Sequence, residues 1–391
     1  MSGNSKYPFI SLSKVLVQDK EYVTELEPRL YPKLSVKLYG RGVVLDEPTN
    51  GAAVRMKRHQ LAQPGQVILS EIWAKKGAIG IVPDEGAGAL ATSHFFLFDV
   101  DESRLLRSYM GWLLSANYFE PVLSGEARGT TGYAAVRPKQ FLQCEIPLPP
   151  LEEQRCIVAR IEELAAKVEA ARALRKQAAQ QVEALFASAA DAVFRLKSGW
   201  TEAKVGDFCE KPQYGYTESA TYEPVGPRFL RITDIQNGQV NWDTVPFCDC
   251  PEPGKYLLRE NDILFARTGA TTGKSFLVRD CPEAVFASYL IRLRVQRLVV
   301  TEYLYWYFQS PSYWSQITEG KEGTGQPNMN GRKLASISVP IPPPDEQRRI
   351  IAYLDELQSR VDAVKQHQAA AAAALDVLLP SILDQAFKGE L

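Results

Sequence analysis

Apolar residues recur at steps of three and four along two stretches of this chain, and the two stretches are copies of one another. In the second, Ile350, Leu354, Leu357, Val361, Val364, Ala371, Leu375, Leu378 and Ile382 keep that spacing, interrupted by the polar pair His367 and Gln368. This is a heptad seam, the pattern of a helix that packs lengthwise on another helix. In the first, Ile157, Ile161, Leu164, Val168 and Ala171 keep the same rhythm, which slips and resumes as Leu174, Ala178, Val182, Leu185 and Ala189. The slip is a stutter that interrupts the seam without ending the helix. Each seam follows a proline cluster and acidic residues, PLPPLEEQR from Pro147 and PIPPPDEQR from Pro340, at a spacing of 193 residues. Proline is tolerated in the first turn of a helix, and carboxylates there complement the helix dipole. A helix running from residue 151 to 197 has about 47 residues and a length of roughly 70 Å. So long a helix with so narrow a seam needs a partner helix, and the other copy is the natural one, which predicts an intramolecular coiled coil acting as a spacer.

The segments before each helix also share an order of elements. Residues 36–45, 66–72 and 94–100 read as strands, and 101–123 has helical spacing with an aromatic stripe that reads as core packing. A glycine loop at 125–132 and the segment 141–148 lead to the first proline cluster. After the first long helix, strands are expected at 229–235, 262–266 and 286–295, a helix at 300–317, a glycine loop at 320–325, and 334–341 leading to the second cluster. Thr131 and Gly132 align with Thr324 and Gly325 in the same frame. The chain therefore reads as a tandem duplication of a globular α/β domain and a long helix. Its expected parts are a first domain at 1–146, a first helix at 147–197, a second domain at 198–339 and a second helix at 340–391.

Composition narrows the chemistry. With 391 residues, 45% of them hydrophobic, the chain can bury more than one core. Its polar start leads into no apolar segment and no run of about 18 apolar residues is evident, so the expectation is a soluble, cytoplasmic protein without membrane association. Six scattered cysteines do not make a disulfide scaffold, and Cys248 and Cys250 lack a second pair at zinc-ligand spacing. The net charge of −1, from 45 basic and 46 acidic residues, gives no global sign of nucleic-acid binding. DNA contact would then rest on local patches or on a partner that supplies phosphate contacts.

The strongest enzymatic lure is GATTGKS, from Gly269 to Ser275, which resembles a phosphate-binding loop. That loop needs a glycine where Thr268 stands and a helix after the lysine, whereas Phe276, Leu277 and Val278 read as a strand. Two readings remain: the glycines let backbone approach DNA, with Arg267 and Lys274 meeting phosphates or base edges, or the segment is a plain β-turn. The three histidines, His59, His94 and His367, form no metal-binding pattern, and neither a glycine-rich S-adenosylmethionine fingerprint nor a methylation tetrapeptide occurs. No catalytic residue and no metal site is therefore expected. The candidate DNA contacts are the basic and amide residues among turn formers. In the first domain these are Arg55, Lys57, Arg58, Lys75, Lys76 and Arg128; in the second, Arg231, Asn237, Arg267, Lys274, Lys321, Gln326 and Asn328. Arginine can pair with guanine through two hydrogen bonds, and asparagine or glutamine with adenine in the same way.

The repeated proline, acid and EQR motif with its long helix, together with the terminal LPSILDQAFKGEL, resembles the specificity subunit of a type I restriction-modification enzyme. The resemblance extends along essentially the whole chain. RTGATTGK from Arg267 is similar to a loop common in the recognition domains of that family, and VKLYGRG from Val36 to a common opening of one subtype. What it implies is an α/β (α+β) architecture of two target-recognition domains, each reading half of a split double-stranded DNA site. Two long antiparallel helices in a coiled coil would hold them apart, in a pseudo-twofold tandem repeat. It also implies methyltransferase subunits docked on the helices, restriction and translocase subunits joined through the complex, and S-adenosylmethionine, ATP and magnesium on those partners only. A second reading is a protein-interaction scaffold with no DNA role. Near-neutral charge favours that second reading; arginine-bearing glycine loops in both domains favour the first.

Overall fold

The computed structural model describes residues 6–55, 58–125, 135–236, 238–318 and 328–391. Both long helices form, at Leu151–Phe194 and Pro344–Lys388, each starting two or more residues into its proline cluster with acidic side chains in the first turn. The chain divides into two compact units inside these helices: Met1–Leu174 with Ala370–Leu391, and Arg175–Ala369.

The first unit contains an antiparallel four-stranded sheet in the order Leu16–Gln18, Phe95–Val100, Val67–Ser70, Ile79–Ile81. Its two central strands supply Leu69 and Phe98 to a core that also takes Tyr109, Leu113 and Phe141. A second sheet, in the order Val43–Asn50, Leu30–Val36, Ala89–Ala91, Gln60–Ala62, lies in the same unit. Residues 36–45 are thus not one strand. Tyr39, Gly40 and Gly42 adopt φ of 59°, 66° and 81°, so the chain turns there between two strands. A Cβ at Gly40 would lie 2.4 Å from the Leu114 carbonyl oxygen, so glycine is needed for space as well as for conformation. The helical span expected at 101–123 is two helices, Arg107–Ser115 and Glu120–Gly125. Asn117, at φ 54°, lies in the break between them.

The second unit contains an antiparallel four-stranded sheet in the order Gln213–Tyr214, Leu290–Leu293, Ile263–Ala266, Ser275–Leu277. The strand expected at 229–235 is shorter, Arg228–Leu230, and passes into a 3-10 turn, Ile232–Asp234. The expected strand 286–295 is two strands, because Ala284–Phe286 pairs in parallel with Arg228–Leu230 before a tight turn delivers Leu290–Leu293 to the larger sheet. The expected helix 300–317 is likewise two, Thr301–Tyr307 and Pro311–Thr318, since proline ends one and opens the next.

Each unit secures the start of one long helix and the end of the other. In the first, Ile157 and Ile161 share a core with Leu383, Ala386 and Phe387, and the Phe387 ring stands edge-on to Tyr109 at 5.5 Å. In the second, Ile350 and Leu354 share a core with Ala190 and Phe194, whose ring lies 5.3 Å from both Tyr303 and Tyr307. The repeated glutamine explains part of the motif. Gln154 is fully buried; its amide donates to the carbonyls of Arg104 and Pro149 and accepts from the Leu106 N–H. Gln347 is buried in the same way, donating to Leu298 and Pro342 and accepting from Val300.

The seams are buried only near their ends. No residue from 169 to 189 or from 362 to 381 is buried, and Leu174 and Leu185, expected to continue the first seam, are 67% and 70% exposed. After the stutter the packed face is Phe186, Ala190 and Phe194, at steps of four. Polar contacts join the two helices along these stretches: Arg172 with Asp376 at 3.0 Å in the first unit, and Arg175 with the Gln368 carbonyl at 3.0 Å and Lys365 with Glu183 at 3.3 Å in the second. By length and composition the helix Pro344–Lys388 could cross a membrane, with an 18-residue window of mean hydropathy 1.4. Asp376 and Pro380 divide its apolar stretch into shorter runs, so no continuous run of about 18 apolar residues occurs in it. Ile382, Leu383, Ala386 and Phe387 are buried in this structure.

Candidate nucleic-acid interface

In the second unit the buried strand Ile263–Ala266 leads into the Arg267 turn, and the partner strand starts at Ser275. The Ala266 and Gly273 amides donate across it, to the carbonyls of Lys274 and Ala266, each at 2.9 Å. Gly269 and Gly273 take φ of 83° and 86°, a region that L side chains rarely adopt. The Gly273 carbonyl accepts from the buried Tyr313 hydroxyl at 2.6 Å. A strand, not a helix, follows Lys274, so the turn offers no helix N-terminus to a nucleotide phosphate.

Arg267 is fixed at its backbone and partly held at its tip. Its N–H donates to Tyr289 at 3.0 Å, its carbonyl accepts from Met329 at 2.8 Å, and Thr268 bridges to Asn328. The guanidinium lies 4.8 Å from the Tyr214 ring centroid, and one Nη donates to the Ser288 carbonyl at 3.4 Å. Its buried Nε has no partner among the described residues. The Tyr214 hydroxyl accepts from the Gly331 amide at 2.9 Å, which orients the ring under the cation. Arg267 and Asn328 are thus brought together, and Lys274 is exposed at the end of the same turn. Tyr289 is 64% exposed beside them.

Arg231 sits differently. Its Nε and Nη2 donate to the two carboxylate oxygens of Asp234 at 3.1 and 2.8 Å, and its backbone N–H reaches the same carboxylate. The Asp234 hydrogen bond raises the guanidinium pKa above its ordinary value, and this fork leaves little of the arginine's edge for a base. Deeper in the unit, Asp262 is buried and accepts from Arg294 at 2.5 and 3.0 Å. Burial pushes the neighbouring Arg292 pKa down despite Asp262, so this cluster is structural ballast for the sheet. No sequence pattern announced it.

In the first unit, Lys75 and Lys76 occupy a short 3-10 turn closed by Gly77 at φ 71°. The Lys76 ammonium stands 5.4 Å from the Trp73 ring, and the Lys76 carbonyl accepts from the Tyr39 amide at 2.7 Å. Trp73 and Tyr39 are 47% and 53% exposed, so two aromatic faces and a lysine share one surface. Arg58 stacks on Tyr22 at 4.1 Å, and Arg55 is exposed. Sequence reasoning missed Tyr39, Trp73, Tyr214 and Tyr289, because an aromatic residue is ordinarily core; turn geometry turns three of them outward, and Tyr214 lies on an edge strand. Lys57, Arg128, Asn237, Lys321 and Gln326 lie outside the described residues.

Cys248 and Cys250 are both buried, and burial pushes the Cys248 thiol up to about 12. Among the described residues no group of three histidine, cysteine or acidic side chains is placed to hold a metal ion.

Comparison with known proteins fits this geometry. Residues 197–371 match the family model for the type I restriction modification DNA specificity domain. The chain is also similar in sequence to the specificity subunits of type I restriction enzymes. It is 26% identical over 276 residues to the EcoKI specificity subunit of Escherichia coli (strain K12), covering 66% of this chain and 60% of that protein. To the StySPI specificity subunit of Salmonella potsdam it is 23% identical over 310 residues, covering 73% of this chain and 65% of that protein. The matched span is therefore less than two thirds of these relatives' length. Among solved structures, a chain from work on complex assembly and conformational transition of the type I R-M system matches with TM-score 0.79, at 24% identity and 100% coverage of both chains. The HsdS subunit from Thermoanaerobacter tengcongensis matches with TM-score 0.63, at 24% identity over 98% of this chain and 97% of that one. At this identity the likeness shows the fold, a mixed α/β architecture with long helices.

Proposed function

We propose that this chain is the DNA-reading subunit of a type I restriction-modification complex and carries no catalysis of its own. The observation that carries the reading is the match of residues 197–371 to a DNA specificity domain. The described interface agrees with it: Arg267 and Asn328 meet beside exposed tyrosines, and Lys274 is exposed at the end of the same glycine turn, which has no use as a nucleotide loop. The domains 1–146 and 198–339 each read one half of a split duplex site. Each contains a four-stranded antiparallel sheet of equivalent strand order, and the buried glutamine near the start of the long helix that follows each, Gln154 or Gln347, makes three equivalent hydrogen bonds, which supports a tandem pseudo-twofold repeat. The helices at 147–197 and 340–391 form an antiparallel coiled coil that docks methyltransferase subunits through exposed apolar residues such as Leu174, Leu185 and Val377.

Restriction and translocase subunits join through that complex, which works in the cytoplasm. S-adenosylmethionine, ATP and magnesium belong to the partners. The near-neutral charge of this chain implies weak DNA binding alone. A gel-shift with a random duplex pool tests the reading, with and without a co-purified methyltransferase partner. Sequence-selective retardation with the partner is expected; no DNA binding in either state would leave the protein scaffold as the better account.

A further inference from the structure

The geometry points to Gln239 as a base-reading residue of the second unit, selective for adenine. This rests on the DNA-reading function proposed above and names one position within it. Beside Arg231 the unit has a polar cavity of about 530 Å³, lined by Thr233, Gln236, Gln239 and Asn241 as well as by the Arg231 and Asp234 pair. Two features separate it from a phosphate site. Among the described residues the one cation lining it, Arg231, is already forked onto Asp234, so none of them turns a free positive charge to the cavity. What remains is neutral amide and hydroxyl chemistry, which suits a base edge that presents donor and acceptor together.

The amides differ in what they have left to offer. Gln236 commits one Nε2 hydrogen to the Thr233 carbonyl at 2.8 Å, which ties its amide down to its own turn. Asn241 accepts from the Asp243 N–H with its Oδ1 at 3.2 Å, which likewise ties its amide to the backbone. Gln239 is exposed and makes no side-chain hydrogen bond among the described residues, so its donor and acceptor are both available. It stands opposite Gln236 in a two-stranded ribbon, Ile235–Gln236 with Gln239–Val240, a shape that a major groove admits. A free carboxamide can accept from adenine N6 and donate to N7 at once, and no other base offers that pair of atoms in the major groove. The neighbouring Arg231 then acts as a positioning residue, bracing the 3-10 turn that precedes the ribbon.

The test is selection of bound duplexes from a random pool by the complex of this chain with its methyltransferase partners. The wild-type complex is expected to select a two-part site with an adenine that depends on Gln239. Gln239→Ala should reduce preference for that adenine by roughly 5- to 150-fold and leave the other half-site untouched. Its salt dependence should stay as in the wild type, because no phosphate contact is lost. Gln239→Glu should move the preference at the same position from adenine towards cytosine, since a carboxylate accepts from the cytosine amino group; a misfolded variant could not produce such a switch. An unchanged site in both variants, or uniform weakening on every sequence with a shallower salt slope, overturns the assignment while leaving the DNA-reading function standing. A wild-type complex that selects no sequence overturns both.

Discussion

Replacing Gln347 by leucine should loosen the second unit by about 2 to 3 kcal/mol. The side chain is 1% exposed and makes three hydrogen bonds, to the Val300 N–H, the Leu298 carbonyl and the Pro342 carbonyl. Leucine has about the same reach but can make none of them. Leu298 is 59% exposed, so water can take over its carbonyl at little cost. The Val300 amide and the Pro342 carbonyl are less accessible, and a buried group left bare costs about 1 to 3 kcal/mol, so about 4 for the two. Burial of the leucine offsets about 1 to 2 kcal/mol of this. A chain of two units need not unfold in one step, so the assay should read one unit. Hydrogen exchange of Leu290–Leu293, a central strand of the sheet, reports opening of the core. Exchange there should accelerate by roughly 30- to 150-fold in Gln347→Leu. In Gln366→Leu, an exposed position on the same helix, it should change by no more than about twofold. Equal rates in the two variants would refute the reasoning, and with it the explanation of why the EQR motif is repeated.

Other outcomes follow from particular residues. Arg267→Ala should cost about 1 to 3 kcal/mol of binding and relax one base position if the side chain reads a base, or lower the salt slope by about one if it meets a phosphate; unchanged binding in a filter assay would place it off the interface. Leu174→Glu and Leu185→Glu should leave thermal stability within about 0.5 kcal/mol, since both side chains are exposed, yet weaken co-purification of methyltransferase subunits. In the native protein, alkylation at pH 8 should label the exposed Cys156 and spare Cys209 and Cys248, whose thiols burial raises to about 12. Mass mapping of the labelled peptides reads this directly.

The long helices were the most legible part of the sequence, because a heptad rhythm and a proline-acid start are local signals and both survive in the fold. Their middle was not. Leu174 and Leu185 have the spacing of buried positions, yet the packed face after the stutter follows Phe186, Ala190 and Phe194, a choice made by the aromatic core of the second unit. Strand limits were blurred for a related reason. Residues 36–45 carry β-branched residues like a strand, and the backbone of Tyr39, Gly40 and Gly42 turns them into a hairpin connection. Of the candidate contacts, Arg267 and Asn328 were far apart in sequence and meet through a bridge that no local pattern encodes. Arg231 looked equivalent to Arg267, but Asp234 three residues on occupies it. The outward tyrosines and Trp73 were hidden by composition, since aromatic residues belong mostly to cores.

The central claim is that two separate domains read two halves of one DNA site. It is tested most directly by sequencing methylated genomic sites in cells that carry this chain and its methyltransferase partners, before and after residues 198–339 are replaced by the equivalent domain of a relative. The account predicts that one half of the methylated sequence changes while the other half persists. Loss of both halves together in an assembled, active complex, or a methylated sequence that does not change at all, would contradict it.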